Sequence, residues 1–475
     1  MTKYFTYFLF VSFSVLNCMV TAQTQIEIIN ADEISFNKKI SEDRQLLIGN
    51  VKTKHEGRYL SCDSAYYYAE DNKIEAFSSV HVWQGDTLSL KGNYLLYHGN
   101  NQLAEIHQNV RFNHKDMKLH TEQLNYNFAT NEGFFDTKAI ITNEEKSLRS
   151  NKGVYYSLIE KFDFFGDVLI IEGQETIKAD TLYYWLDTEF ASFRSNGEIE
   201  NPTIKILAQM GWIDQIKGNA FLSDQIKITQ TKDSYTLYAD TCVITEQMKR
   251  SVSYGNTLVE CPFNDDTLHL TADTIINYQK TNTNLLKAYK DVSFKSATII
   301  GHCDSLSFNT SSDLIYLNKE PVLWLEEFQL NADTISLLLD SNELSKSFLK
   351  KNAFISSELD SITFNQISGI NMQANFIENE LTSIKVMGNG ESIYYIQDDK
   401  TDEVLGLNKI ICSNMNIIIE NRELQQINFL QKPDATLFPI VEIKKEDRWL
   451  KHYKNFNKLA VLNKIESKTQ VHKGF

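Results

Sequence analysis

Apolar and polar residues alternate along this chain, and the parity of the alternation slips by one residue at a recurring point. Taking the aspartate of "ADT" as position zero, the inward residues upstream fall at minus three and minus one. Examples are Leu119 and Thr121, Leu237 and Ala239, and Leu330 and Ala332. Downstream they fall at plus two and plus four, as in Ile34 and Phe36, Leu95 and Tyr97, Leu124 and Tyr126, or Leu306 and Phe308. A period of two predicts a strand with one buried face. In a straight strand the slip would turn the whole apolar set outward, so the chain must bend or bulge at zero.

The frame fits Asp32, Asp63, Asn93, Glu122, Asn151, Asp180, Gln209, Asp240, Asp273, Asp304, Asp333 and Asp360. Steps of about thirty residues are the mark of a solenoid or stacked array. Small residues at minus one suit a crowded corner, and the acid or amide at zero can accept hydrogen bonds from backbone N–H groups that the bend frees. Each unit continues through a polar turn into a second strand, which often ends in Val after Gly, Asn or Asp. Examples are Gly49 to Val51, Gln108 to Val110, Gly166 to Val168 and Lys290 to Val292. About a dozen such units predict an elongated all-β stack with a continuous apolar interior.

The organisation read from this pattern is a leader over 1–22, the repeat over 23–365, an irregular continuation over 366–440 and a basic tail over 441–475. The register loosens after Asp360 around "FNQISGINMQANF", with one further copy at "IICSNMNI". In the tail, Trp449, Tyr453, Phe456 and Leu459 or Ala460 recur at helical spacing and predict one amphipathic helix. The tail reads as a cap over the last layer, the alternative being a contact for lipid phosphates or a membrane.

Composition sharpens the picture in three places. Aromatics make up 12% of the chain while Pro numbers 5 and Gly 19, a balance suited to strands and against disorder. A net charge of -15 argues against sequence-independent nucleic-acid binding, since phosphate is repelled overall. At the N-terminus, Lys3, an apolar run from Tyr4 to Val20, and Val20 and Ala22 before Gln23 read as a cleaved secretory signal. An uncleaved anchor is the alternative, and a lipoprotein through Cys18 is weakened by Asn17.

No catalytic constellation emerges. The carboxylate at zero recurs once per layer and alternates with Asn and Gln, whereas an active site needs one local cluster. The calcium nonapeptide is absent, the histidines are scattered, and no zinc spacing or CxxC pair occurs. Cys62, Cys303 and Cys412 stand where other units have small residues, and Cys242 stands at a Leu or Ile position. All four read as small buried hydrophobes, with a Cys242–Cys261 disulfide left open. No cofactor or metal is expected.

The "AD[TS]" strand rich in tyrosine, followed about seventeen residues later by "GNV" within a solenoid repeat, resembles the OstA-like (organic solvent tolerance) family. Its members include the periplasmic bridges of lipopolysaccharide transport of the LptA type. The resemblance spans most of residues 26–430. It implies an open β-jellyroll in the periplasm whose apolar interior shields lipid A acyl chains. It also implies partners, namely other transport proteins joined end to end by strand pairing, with self-association by the same edges.

On that implication the groove candidates are Ile34, Phe36, Tyr67, Leu95, Tyr97, Leu124, Tyr126, Tyr155, Leu182, Tyr184, Ile275, Leu306, Phe308, Ile335 and Leu337. The corner residues Asp32, Asp63, Asp180, Asp240, Asp273, Asp304 and Asp333 read as structural. The competing view of the plus-four aromatics is plain core packing. The competing function is a structural or adhesive exported β-solenoid with no lipid.

Overall fold

The computed structural model describes residues 24–472, apart from 37–42, 144–145, 232–234, 264–265, 281–282, 310, 326, 341–342, 361, 379, 399–400, 402 and 421–422. Residues 1–22, read above as a leader and including Cys18, lie outside the described residues. The chain divides into two compact units. One comprises residues 1–144 and 154–158, the other 145–153 and 159–475. Both are built of antiparallel strands, and the described residues contain one α-helix, Lys458–His472. No helix among them is long and apolar enough to cross a membrane.

In the first unit, strands Arg44–His55, Arg58–Tyr68, Lys73–Gln84, Leu88–His98, Leu103–His114 and Met117–Asn127 pair in sequence order. Every one of these pairings breaks register at one level, where two residues of one strand are skipped, for example between Ile48 and Val51 or Phe77 and Val80. The breaks stack, so each strand runs through two walls joined at a corner. Leu60 and Cys62 face inward from one wall and Ala65 and Tyr67 from the other, which is the parity slip seen in the sequence. The second unit repeats the plan, with register breaks between Phe165 and Val168, Ser223 and Ile226, and Tyr254 and Thr257.

The Gly/Asn/Asp–Val motif sits at these corners, in mid-strand rather than at strand ends. Its first two residues both take left-handed backbone angles: Gly49 and Asn50 at φ 75° and 48°, Gly166 and Asp167 at 74° and 48°, Lys290 and Asp291 at 59° and 55°. Such φ values are strained for most side chains but tolerable for Gly, Asn and Asp. At Gly49 an added Cβ would lie 2.4 Å from the Asp32 carboxylate, so only glycine fits there without a shift.

The acids at zero stay outside the core and bridge neighbouring corners. Asn50 donates to Asp32 at 2.8 Å, Ser79 to Asp63 at 3.0 Å, Asn196 to Asp180 at 2.7 Å and Asn256 to Asp240 at 2.8 Å. Lys290, Lys319 and Asn352 do the same for Asp273, Asp304 and Asp333. The donor is therefore usually a side chain of the adjacent corner rather than a freed backbone N–H. The longer Glu122 and Gln209 reach backbone donors instead, those of Asn109 and Asn196 at 3.3 and 3.4 Å.

Asp360 does not belong to this ladder. It accepts from the Ile362 and Thr363 N–H groups at 2.8 and 2.9 Å in a hairpin turn, and the corner itself falls between Gly369 and Asn371.

The expected C-terminal helix is present over Lys458–His472, but it begins later than the apolar spacing of the tail predicts. Residues 449–457 are not helical, so Trp449, Tyr453 and Phe456 reach their sites from an irregular segment, and Leu459 on the helix is exposed. Nor does the tail cross the last layer. It runs back along the outer face of one wall: Leu450 packs with Phe354, Ile393, Tyr395 and Leu407, and Val461 and Ile465 pack on Val322 and Trp324. His472 stacks on Tyr238 with ring centroids 5.0 Å apart. Its lysines meet corner residues: Lys454 pairs with Glu320 and Lys464 with Asp291, both at 2.7 Å, and Lys468 donates to Asn256 at 2.6 Å. Under the tail this wall is buried on both faces, so Val322–Leu325 and Ala353–Ser356 are buried without alternation.

Candidate functional site

The interior between the walls is filled in some layers and open in others, and the residue at plus four decides which. In the early layers it is tyrosine, long enough to reach the opposite lip of the slit and hydrogen-bond there. In the first unit Tyr97 meets His55 Nδ1 at 2.7 Å and Arg58 at 3.3 Å. Tyr126 meets Ser157 at 2.9 Å, and Tyr155 meets His114 at 2.8 Å. Tyr126 and Tyr155 are fully buried and burial pushes the Tyr97 and Tyr126 phenols above their ordinary value. Tyr67 fills the same place with its hydroxyl 3.4 Å from Gln25. In the second unit Tyr184 takes the same role beneath Lys146, whose ammonium lies 2.8 Å from Glu189, 3.3 Å from Glu172 and 3.3 Å from the Tyr184 hydroxyl. Burial pulls the Lys146 pKa down, but the hydrogen bonds to Glu189 and Tyr184 and the nearby Glu172 carry it above the usual lysine value.

Further along the second unit the plus-four aromatic is interrupted: the position holds Ile213, Ile244 and then Asn277 before Phe308 restores it. There the walls enclose a cavity of about 540 Å³. One wall supplies Val259, Cys261, Phe263 and Leu270, the other Leu286, Leu306, Phe308 and Leu337. The size falls within the range of small-molecule sites, and the lining is mainly apolar. A smaller cavity of about 70 Å³, lined by Ile206, Ile228, Leu237 and Ile244 among others, lies beside it. Alternate residues of the same strands point away from it: Glu260, His269 and Lys295 line a recess beneath the helix on the outer face.

Of the candidate groove residues, Leu306, Phe308 and Leu337 line the large cavity. Leu95, Leu124, Leu182, Ile275 and Ile335 are buried at plus two, and Tyr67, Tyr97, Tyr126, Tyr155 and Tyr184 occupy the filled layers. Ile34 and Phe36 stand on the first strand pair and are more than half exposed. The cavity residues contributed by the upstream half-strands, Val259, Cys261 and Phe263, were not among the candidates. The signal for them was the break in the plus-four aromatic series.

Cys62, Cys242, Cys261, Cys303 and Cys412 are free thiols, so the open Cys242–Cys261 pairing is not formed. Among the described residues no group of three or more His, Cys, Asp or Glu could hold a metal ion.

Residues 23–180 match the family of OstA-like proteins, so the resemblance read from the repeat holds over that stretch. Among solved structures, the chain is similar to LptH, described as the LptA homologous periplasmic component of the lipopolysaccharide transport device from Pseudomonas aeruginosa. The identity is 15%, over 24% of this chain and 82% of that one, with a TM-score of 0.22. No curated protein matches the chain.

Proposed function

We propose that this chain is a periplasmic component of lipopolysaccharide transport whose second unit shelters lipid A acyl chains in the cavity between its walls. The observation that carries the reading is that cavity: a mainly apolar space held between two β walls, where Asn277 stands in place of the bulky plus-four residue of neighbouring layers. The OstA-like match over residues 23–180 supports the choice of lipid and compartment. Burial of hydrocarbon there is favourable by about 0.8 kcal/mol per methylene, so a chain of ordinary length needs no charged contact to stay bound. Leu306, Phe308 and Leu337 touch the chain in this account, while the corner acids hold the walls in register. Docking to other transport proteins, or to a second copy, uses the first strand pair. Glu27–Asn30 and Glu33–Phe36 are paired with Arg44–His55 and leave Ile29, Ile34 and Phe36 exposed.

The first unit favours the competing structural reading for its own layers, because its tyrosines fill the interior and bond across it. The test is mild extraction of the full chain from cells followed by mass spectrometry of the bound lipid. The transport reading expects lipopolysaccharide at near-stoichiometric level. A lipid-free chain under conditions that retain lipid on a control carrier contradicts it.

A further inference from the structure

The two cavities of the second unit share three lining residues, Gln230, Tyr235 and Asn277, and all three are polar. Gln230 and Tyr235 face each other across one hairpin, being paired residues of strands Asn219–Gln230 and Tyr235–Thr245. Asn277 stands on the opposite wall at the plus-four position. None of the three makes a side-chain hydrogen bond to another described residue, whereas the tyrosines of the filled layers are all bonded across the slit. Plain packing does not account for an amide at a position that Ile213, Ile244, Phe308 and Leu337 fill in neighbouring layers. A mainly apolar pocket fixes its ligand through a few placed polar groups; Asn284 and Asp313 also line the larger cavity, but Gln230, Tyr235 and Asn277 are the three that both cavities share.

We infer that Gln230, Tyr235 and Asn277 form a donor collar that recognises the carbonyl of an acyl ester or amide and directs its hydrocarbon into the larger cavity. The inference rests on the acyl-chain reading of the cavity and adds the polar linkage as the feature that sets the ligand's depth. A ligand without that carbonyl leaves the partly desolvated donors unpaired, so it binds less tightly than one of the same length that carries it. The Tyr235 phenol is a neutral donor across the physiological range, as an ordinary tyrosine is, and burial raises its pKa further.

The test compares two probes of equal chain length and equal headgroup on the full-length protein, 1-monolauroyl glycerol and its ether analogue 1-O-dodecyl glycerol. Each competes with the fluorescent probe N-phenyl-1-naphthylamine. The wild type is expected to prefer the ester by about three- to tenfold. The double variant Tyr235→Phe, Asn277→Leu should bind both glycerols equally, with ether affinity within about twofold of wild type, since leucine suits the plus-four site. Tyr235→Phe alone should show a reduced preference, which guards against a folding defect in the double variant. Equal binding of ester and ether by the wild type overturns the collar and leaves the acyl cavity standing, as does an unchanged preference in both variants. If neither glycerol displaces the probe, the acyl-chain reading fails and the collar with it.

Discussion

Replacing Gln366 with leucine should release the C-terminal tail while leaving the walls paired. The Gln366 side-chain amide donates to the Arg448 carbonyl at 2.7 Å and accepts from the Leu450 N–H at 2.9 Å, a two-point clamp on the tail backbone. Gln366 is fully buried and Leu450 nearly so. Leucine offers neither partner, and each buried backbone group left unpaired costs about 1 to 3 kcal/mol. Taking the lower figure for both groups gives about 2 kcal/mol, or about a thirtyfold rise in undocked tail. The loss is local, because the tail can lift away without opening a strand pair, so global unfolding should move little. Trypsin under native conditions reads the opening directly, since Lys451 and Lys454 lie in the clamped stretch. Cleavage within residues 444–458 should be about thirtyfold faster in Gln366→Leu. A similar gain is expected in Gln329→Leu, whose side chain donates to the Lys454 carbonyl at 2.7 Å and accepts from the Phe456 N–H at 3.3 Å. Gln426→Leu, an exposed position bonded to Asn428, serves as the control. Wild-type cleavage rates in both clamp variants would refute the claim that these amides hold the tail.

Three further outcomes follow from the same contacts. Burial pushes Cys62 and Cys303 up to about 12 and Cys242 and Cys261 up to about 11, so labelling of these four by a thiol-exchange reagent at pH 8 should run about a hundredfold slower than in the unfolded chain. Fast labelling in the folded state would contradict their placement in the walls. Asp273→Asn should leave the urea midpoint unchanged and Asp273→Leu should cost less than about 1 kcal/mol, because the Asp273–Lys290 pair is open to solvent; a larger loss would point to a second role for the carboxylate. Ile28→Pro, on the first strand, should weaken self-association measured by sedimentation while the circular dichroism of the body stays intact, and unchanged sedimentation would remove the N-terminal edge as a docking surface.

The bent strand was legible in the sequence because one rule, inward residues at minus three, minus one, plus two and plus four, survives most changes of residue, the exposed Ile34 and Phe36 of the first strand pair excepted. Asp360 shows where that rule misleads. An acid three residues before Thr363 also suits a hairpin, and the true corner carries Ile370, so the frame matched a turn by composition alone. The partner of the zero-position acid was not legible, because it lies on the neighbouring strand and bonds by side chain. The tail's route was hidden for a similar reason. Gln329 and Gln366 look like ordinary outward strand residues, and only the unbroken burial of Val322–Leu325 hints that something covers both faces. The cavity did leave a trace, since Asn277 interrupts a series of bulky plus-four residues, but a missing filler signals space only once the opposite wall is known.

Photo-crosslinking in living cells tests the central claim most directly, with the photoreactive residue placed in turn at Phe308 and Leu337, which line the cavity, and at Ser307 and Tyr316, which point outward from the same wall. The account predicts lipopolysaccharide adducts at Phe308 and Leu337 and none at Ser307 or Tyr316. Adducts at equal yield on both faces, or at neither while the protein is folded and exported, would contradict it.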